Sequence, residues 1–253
     1  MNLKELDTYF RSILQIAAFE KYDSSLNGIQ IGRSYSDIQK VAFAVDACIE
    51  SFRTAAQWGA DVLCVHHGLF WGKPERIEGF LLNRIKFLLE HDLALYAAHL
   101  PLDADPALGN NIAIARRLGL EETSPFGIYN GVAIGIKGAL PHPINLETIA
   151  STLFGPSPSG YQVLPFGKPL VQTVAVVSGG AASEAFQAVE EGVDLFITGE
   201  SSHTIYHACL EAGLNVLFGG HYQTETGGVQ GWAERTTQDT GLETRFFDIP
   251  TGF

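Results

Sequence analysis

Residues 40–68, KVAFAVDACIESFRTAAQWGADVLCVHHG, carry the reading that decides the fold. Two short apolar runs, Val41–Val45 and Val62–Val65, flank a helical stretch that stops at Gly59, and the second run ends on an adjacent histidine pair, His66 and His67. Runs of this length suit strands, and their lack of polar alternation suits strands covered on both faces. The same order of strand, turn, helix, Gly-x-Asp and strand returns in residues 173–201, TVAVVSGGAASEAFQAVEEGVDLFITGES. A shift of 133 aligns Val41 with Val174, Gly59 with Gly192 and Asp61 with Asp194, and sets His66 and His67 opposite Gly199 and Glu200.

Reading outward, residues 93–103, LALYAAHLPLD, match residues 214–225, LNVLFGGHYQTE, at shifts of 121 to 122. The change in shift falls where the first half carries an insertion, residues 70–92. Apolar runs alternating with helical patterns predict an α/β fold of two related domains from an internal duplication. The Gly- and Pro-rich stretch SPFGIYNGVAIGIKGALPHP marks a boundary near Pro125. This gives domains 1–125 and 126–253, and leaves room for the chain to return to the first domain near its end. The run GPSPSG at 155–160 reads as a loop, and MNLKELDTYFRSIL at the start as an amphipathic helix without the features of a secretory signal.

Composition narrows the functional classes. Hydrophobic residues make up 46% and charged residues 17% of the 253, which excludes a disordered chain, and no apolar run reaches the roughly 18 residues of a membrane span. A cytoplasmic location is the expectation. Cys48, Cys64 and Cys209 form no C-x-x-C and read as reduced core residues. A net charge of −12 without a basic stripe argues against a nucleic-acid partner, because there is little to release counterions from a phosphate backbone.

Three clusters carry chemistry. His99 and Asp103 lie four apart in AAHLPLD, His221 and Glu225 lie four apart in GGHYQTE, and His66 and His67 end a strand. Imidazoles and carboxylates at strand ends, where open α/β sheets place their sites, point to metal binding. In a regular strand the rings of His66 and His67 would face opposite ways, so a shared site needs a bend at the His-His-Gly turn. Such a donor set suits zinc, iron or manganese better than calcium or magnesium. The turn Ser178-Gly179-Gly180 offers backbone N–H groups to an anion, or is merely a tight strand-to-helix turn. In HTIYH, His203 is placed to contact substrate and His207 reads as structural; Glu200, aligned with His67, is expected to face the site. No G-x-x-x-x-G-K-[ST] is present, so a triphosphate would need another cradle.

Together VHHGLFWG, HLPLD, the TGE of ITGESSHTIYH, GGHYQTE, NGIQIG (27–32) and AVDAC around Asp46 resemble the NIF-three-like family, the GTP cyclohydrolase I type 2 homologues, over most of the chain. The resemblance implies a two-domain α/β protein with a dinuclear metal centre in a cleft, assembled as a ring-shaped homohexamer. It implies His66, His67, Asp103, His221 and Glu225 as ligands of two divalent ions, with Glu225 a bridge and catalytic group and His99 in a supporting, proton-handling role. His203, Glu200, Gly179 and Gly180 would contact substrate. The expected function is a metal-dependent hydrolase in which activated water attacks a nucleotide-like or phosphorylated small molecule. The alternative is a non-catalytic or regulatory metal-binding ring.

Overall fold

The computed structural model describes residues 1–35, 37–156 and 160–253. Positions 157–159 of the run read as a loop therefore lie outside the described residues. The chain forms two compact units, residues 1–108 with 229–249 and residues 109–228 with 250–253, each built on one mixed sheet.

The first unit opens with α1 (Leu3–Ile13), which the sequence starts with a capping box: Asn2 accepts from the Glu5 N–H while the Glu5 carboxylate accepts from the Asn2 N–H. Then follow β1 (Gly28–Ile31), β2 (Lys40–Asp46), α2 (Ile49–Trp58), β3 (Val62–His67), α3 (Gly79–Glu90), β4 (Ala94–Ala97) and the single turn α4 (Leu100–Asp103). In the second unit come α5 (Asn110–Leu118), β5 (Glu121–Tyr129), β6 (Val132–Asn145), α6 (Leu146–Phe154), β7 (Gln162–Pro165), β8 (Leu170–Val176), α7 (Ala185–Glu191), β9 (Leu195–Thr198), α8 (Tyr206–Ala212) and β10 (Asn215–Phe218). α9 (His221–Thr240) spans the unit boundary, and β11 (Glu243–Phe246) follows it.

The first sheet runs β1-β4-β3-β2-β11, parallel except for β1. Its central strands are buried throughout Val41–Val45, Val62–His66 and Ala94–Ala97. Alternate residues serve opposite faces. Ala42, Ala44, Leu63, Val65 and Leu95 pack with Phe52, Leu81, Ile85 and Leu88 of α2 and α3. On the other face Trp232 of α9 lies 4.9 Å from Phe10 and 5.3 Å from Phe43, in edge-to-face contact.

The second sheet runs β5-β6-β8-β9-β10-β7, with β8, β9 and β10 parallel. Val174, Val176, Leu195, Ile197 and Leu217 pack with Ile149, Ala150 and Leu153 of α6 and with Ile114 of α5. Pro125 lies inside β5, whose backbone pairs with β6, so the unit boundary falls at residue 108 rather than at 125. Gly and Pro in that stretch shape a long hairpin within one sheet instead of a linker. The last strand, β11, pairs with β2 of the first unit.

Each unit contains a β-α-β-α-β run, and details recur within them. Asp61 accepts from the N–H groups of Gln39 and Lys40 at 2.7 and 3.0 Å, and Asp194 accepts from those of Gln172 and Thr173 at 3.0 and 3.1 Å, each pair related by the shift of 133. Ala98 N–H donates to Val65 O just as Gly219 N–H donates to Thr198 O. By that equivalence His99 corresponds in position to Gly220 and His221 to Leu100, so the two His-x-x-x-carboxylate motifs are displaced by one residue relative to the repeat. Among the described residues no helix is long and apolar enough to cross a membrane.

Candidate metal centre

β3 delivers His66 and His67 at its carboxyl end. His66 is fully buried, and its Nδ1 lies 3.0 Å from the carbonyl oxygen of Ala98, just beyond β4. A carbonyl only accepts, so Nδ1 carries the proton and the lone pair of the neutral ring sits on Nε2. That Nε2 lies 3.5 Å from Oδ1 of Asp103, a buried carboxylate in α4. His67 pairs through Nδ1 with Asp46 Oδ1 at 2.9 Å; Asp46 ends β2 and is the register partner of His67 across the sheet.

The rings of His66 and His67 approach to 4.6 Å between centroids, so the strand end brings together two side chains that a regular strand would separate. The turn beyond is pinned by Gln30: its Oε1 accepts from Leu69 N–H at 2.6 Å, and its amide fills the space a Cβ at Gly68 would need.

His99 joins this pair. Its ring centroid is 5.0 Å from that of His66 and 5.8 Å from that of His67, and ligand nitrogens of the three rings lie within 4.8 Å of one another. His99 Nδ1 meets Asp23 Oδ1 at 2.9 Å, and its backbone N–H donates to Asn27 Oδ1 at 2.8 Å. Asp23 also accepts from Leu100 N–H, Ser25 N–H and the Asn27 amide. Burial alone would raise the Asp23 pKa, but these donors, His99 first, hold it below the usual carboxylate range. Trp71 stands edge-on to His99 at 5.0 Å, its indole N–H donating to Gly68 O.

The second unit carries its own set at the start of α9. His221 Nδ1 meets Glu200 Oε1 at 2.7 Å, and its Nε2 lies 3.3 Å from Oε1 of the buried Glu225, one helical turn on. Burial by itself would lower the His221 pKa; the two carboxylates outweigh it and push it up to about 9. Glu225 sits inside α9, in its second turn. Gly179 lets the preceding turn pass close to it: a Cβ there would stand 2.2 Å from Glu225 Oε1, at a backbone φ of +67°.

The structure thus gathers His66, His67, His99 and Asp103 in one unit and His221, Glu225, Glu200, Gly179 and Gly180 in the other. Gly179 N–H donates to Thr224 Oγ1 and Ser178 N–H to Asn111 Oδ1, so these two donors hold the turn together instead of cradling an anion. Glu200 orients a histidine. His203 is exposed on a 3-10 turn and shows no contact with these groups among the described residues. Asp46, Asp23 and Gln30 were missed as functional positions. AVDAC and NGIQIG carried Asp46 and Gln30 as motif residues without a role, while Asp23 is 76 residues from His99 and no spacing signals their contact.

Each of these four histidines is held through Nδ1 by an oxygen, the arrangement typical of metal-ligating imidazoles, and His66, His67 and His99 form a group that could hold a metal ion. The sequence profile of Duf34/NIF3, NGG1p interacting factor 3, matches residues 1–251. The chain belongs to the Duf34/NIF3 family. Among its relatives within Duf34/NIF3 are proteins named GTP cyclohydrolase 1 type 2 homolog from Treponema pallidum (strain Nichols), 41% identical over the full length of both chains, and from Archaeoglobus fulgidus, 46% identical over 99% of each. The crystal structure of TTHA1606 from Thermus thermophilus matches over the full length of both chains, with a TM-score of 0.90 at 39% identity. The protein ybgI, of unknown function, matches likewise with a TM-score of 0.91 at 35% identity.

Proposed function

We propose that the two sets of side chains serve one dinuclear centre and that this Duf34/NIF3 protein is a metal-dependent hydrolase acting on a nucleotide-like or phosphorylated small molecule. The observation that carries the reading is the uniform anchoring of four imidazoles through Nδ1, which leaves the Nε2 of His66, His67 and His221 as the ligating atom and that of His99 for proton handling. His66, His67, Asp103, His221 and Glu225 would hold two divalent ions, zinc, iron or manganese by donor type. Ions so held supply Lewis acidity to a substrate oxygen and acidify water at neutral pH. His99, backed by the ionised Asp23, takes up a proton at Nε2 and is kept in the tautomer that allows it. Glu225, a buried carboxylate, would serve both as ligand and as catalytic group. The nucleotide class is supported by the name the curated relatives carry.

We further infer a β-α-β-α-β unit duplicated within the chain, from the paired Asp61 and Asp194 contacts, and a ring-shaped homohexamer from the family resemblance. Metal content and turnover of a nucleotide and phosphoester panel, measured on wild type, His67→Ala and Glu225→Gln, test the function. Two ions per chain, and turnover lost in both variants, are expected. Turnover indifferent to both substitutions would overturn the catalytic assignment, and full metal loading with no turnover anywhere would favour a binding protein. Light scattering reads the oligomer.

A further inference from the structure

Beyond the carboxyl ends of β9 and β10 the second unit forms an open cavity of about 530 Å³, lined by Tyr161, Gln162, Glu200, Ser201, Phe218 and Phe253 among others. Its place is the one where open α/β sheets receive ligands, and its size falls in the range of small-molecule sites. Glu200 is the one charged side chain among the described wall residues. Glu200 Oε1 is taken by His221 Nδ1 at 2.7 Å, which fixes the carboxylate and leaves Oε2 as an acceptor. Gln162 adds an amide-bearing residue to the lining, and Tyr161, Phe218 and Phe253 add three aromatic residues. Phe253 is seated there by its carbonyl, which accepts from Tyr222 N–H at 2.9 Å.

We propose that this cavity binds a small planar ligand with a donor-rich, neutral or cationic edge: an amidine, a guanidine or an aminated heterocycle. One N–H of such an edge meets Glu200 Oε2, the neighbouring N–H meets the Gln162 carbonyl, and the ring lies against the aromatic walls. An anionic ligand is disfavoured, because the single His221 imidazole beside the cavity is shared between two carboxylates, Glu200 and Glu225, in a chain of net charge −12. The site needs no metal and stands apart from the proposed hydrolase reading, although it shares Glu200 with the His221 set.

The test is calorimetric titration of metal-stripped protein with benzamidine and with benzoate, its anionic analogue of the same shape, on wild type, Glu200→Gln and Gln162→Ala. Metal binding is measured in parallel on each. Removing a charge-assisted hydrogen bond is expected to weaken binding about tenfold or more. Benzamidine should therefore bind wild type at least about tenfold tighter than benzoate, a preference lost in Glu200→Gln. Gln162→Ala should weaken benzamidine while metal binding stays unchanged. Equal or tighter binding of benzoate, or benzamidine binding unmoved by Gln162→Ala, overturns the proposal. A chain that bound no metal would refute the dinuclear reading and leave the benzamidine result standing.

Discussion

Asp46 and His67 face each other at the ends of β2 and β3, so one hydrogen bond sets the ring that would present Nε2 to a metal. Asp46→Ala removes the orienting acceptor without touching a proposed ligand. Metal affinity should fall about 10- to 100-fold, read by chelator competition, and an unchanged affinity would remove the argument from ring orientation. At Gly179 the left-handed backbone and the approach to Glu225 act together. Gly179→Ala should cost at least about 1–2 kcal/mol from the backbone alone, and should also disturb metal binding as Glu225 is displaced; urea unfolding and a metal titration report the two effects. His221 has a sign of its own. With a pKa near 9 in the metal-free protein it holds a proton at neutral pH, and a ligating metal must displace that proton. Metal affinity should therefore drop by up to about tenfold per unit as pH falls below 9, with proton release on binding; an affinity flat between pH 6 and 8 would contradict it.

Among the elements, the β-α-β runs depend on two aspartates that tie the start of one strand to the start of the next. Asp61 is held below the usual range against its burial by the Gln39 and Lys40 N–H groups and by Arg33, and Asp194 by Lys168 and the Thr173 and Gln172 N–H groups. A depressed carboxylate pKa contributes stability above its unfolded value of 3.8 and loses it as pH falls through the folded value. Asp61→Asn and Asp194→Asn should each cost about 1–3 kcal/mol at neutral pH. The loss should shrink toward pH 3, as the wild type also loses its charge, and a penalty independent of pH would show that shape rather than charge matters. The two aspartates were legible as a Gly-x-Asp repeat, their contacts only in the structure. The motif displacement was not, because His99 and His221 match in sequence at a shift of 122 while the strands before them match in hydrogen bonding at 121.

For the molecule as a whole, the first unit is closed by a segment from the far end of the chain. Trp232, fully buried, packs edge-on to Phe10 and Phe43, and β11 extends the sheet beside β2. Trp232→Ala should destabilise by about 3–5 kcal/mol, measured by denaturant titration. A loss below about 1 kcal/mol would mean that the late segment is not integral to that core.

The sequence by itself determined the α/β class, the strand-helix-strand repeat and the residue types of a metal site, because apolar period, glycine position and donor chemistry are local properties. It also carried the family, through motifs spread along the chain. The tertiary structure alone decided where the units divide, since β5 takes its place by pairing with β6 and not by its glycine and proline content. It alone supplied the oxygens behind the histidines: Asp46, Asp23, Ala98 and Glu200 stand 21 to 76 residues from the rings they hold. A carboxylate orients an imidazole only through a distance of about 3 Å, and such distances are set by how strands and loops pack, which spacing along the chain does not encode.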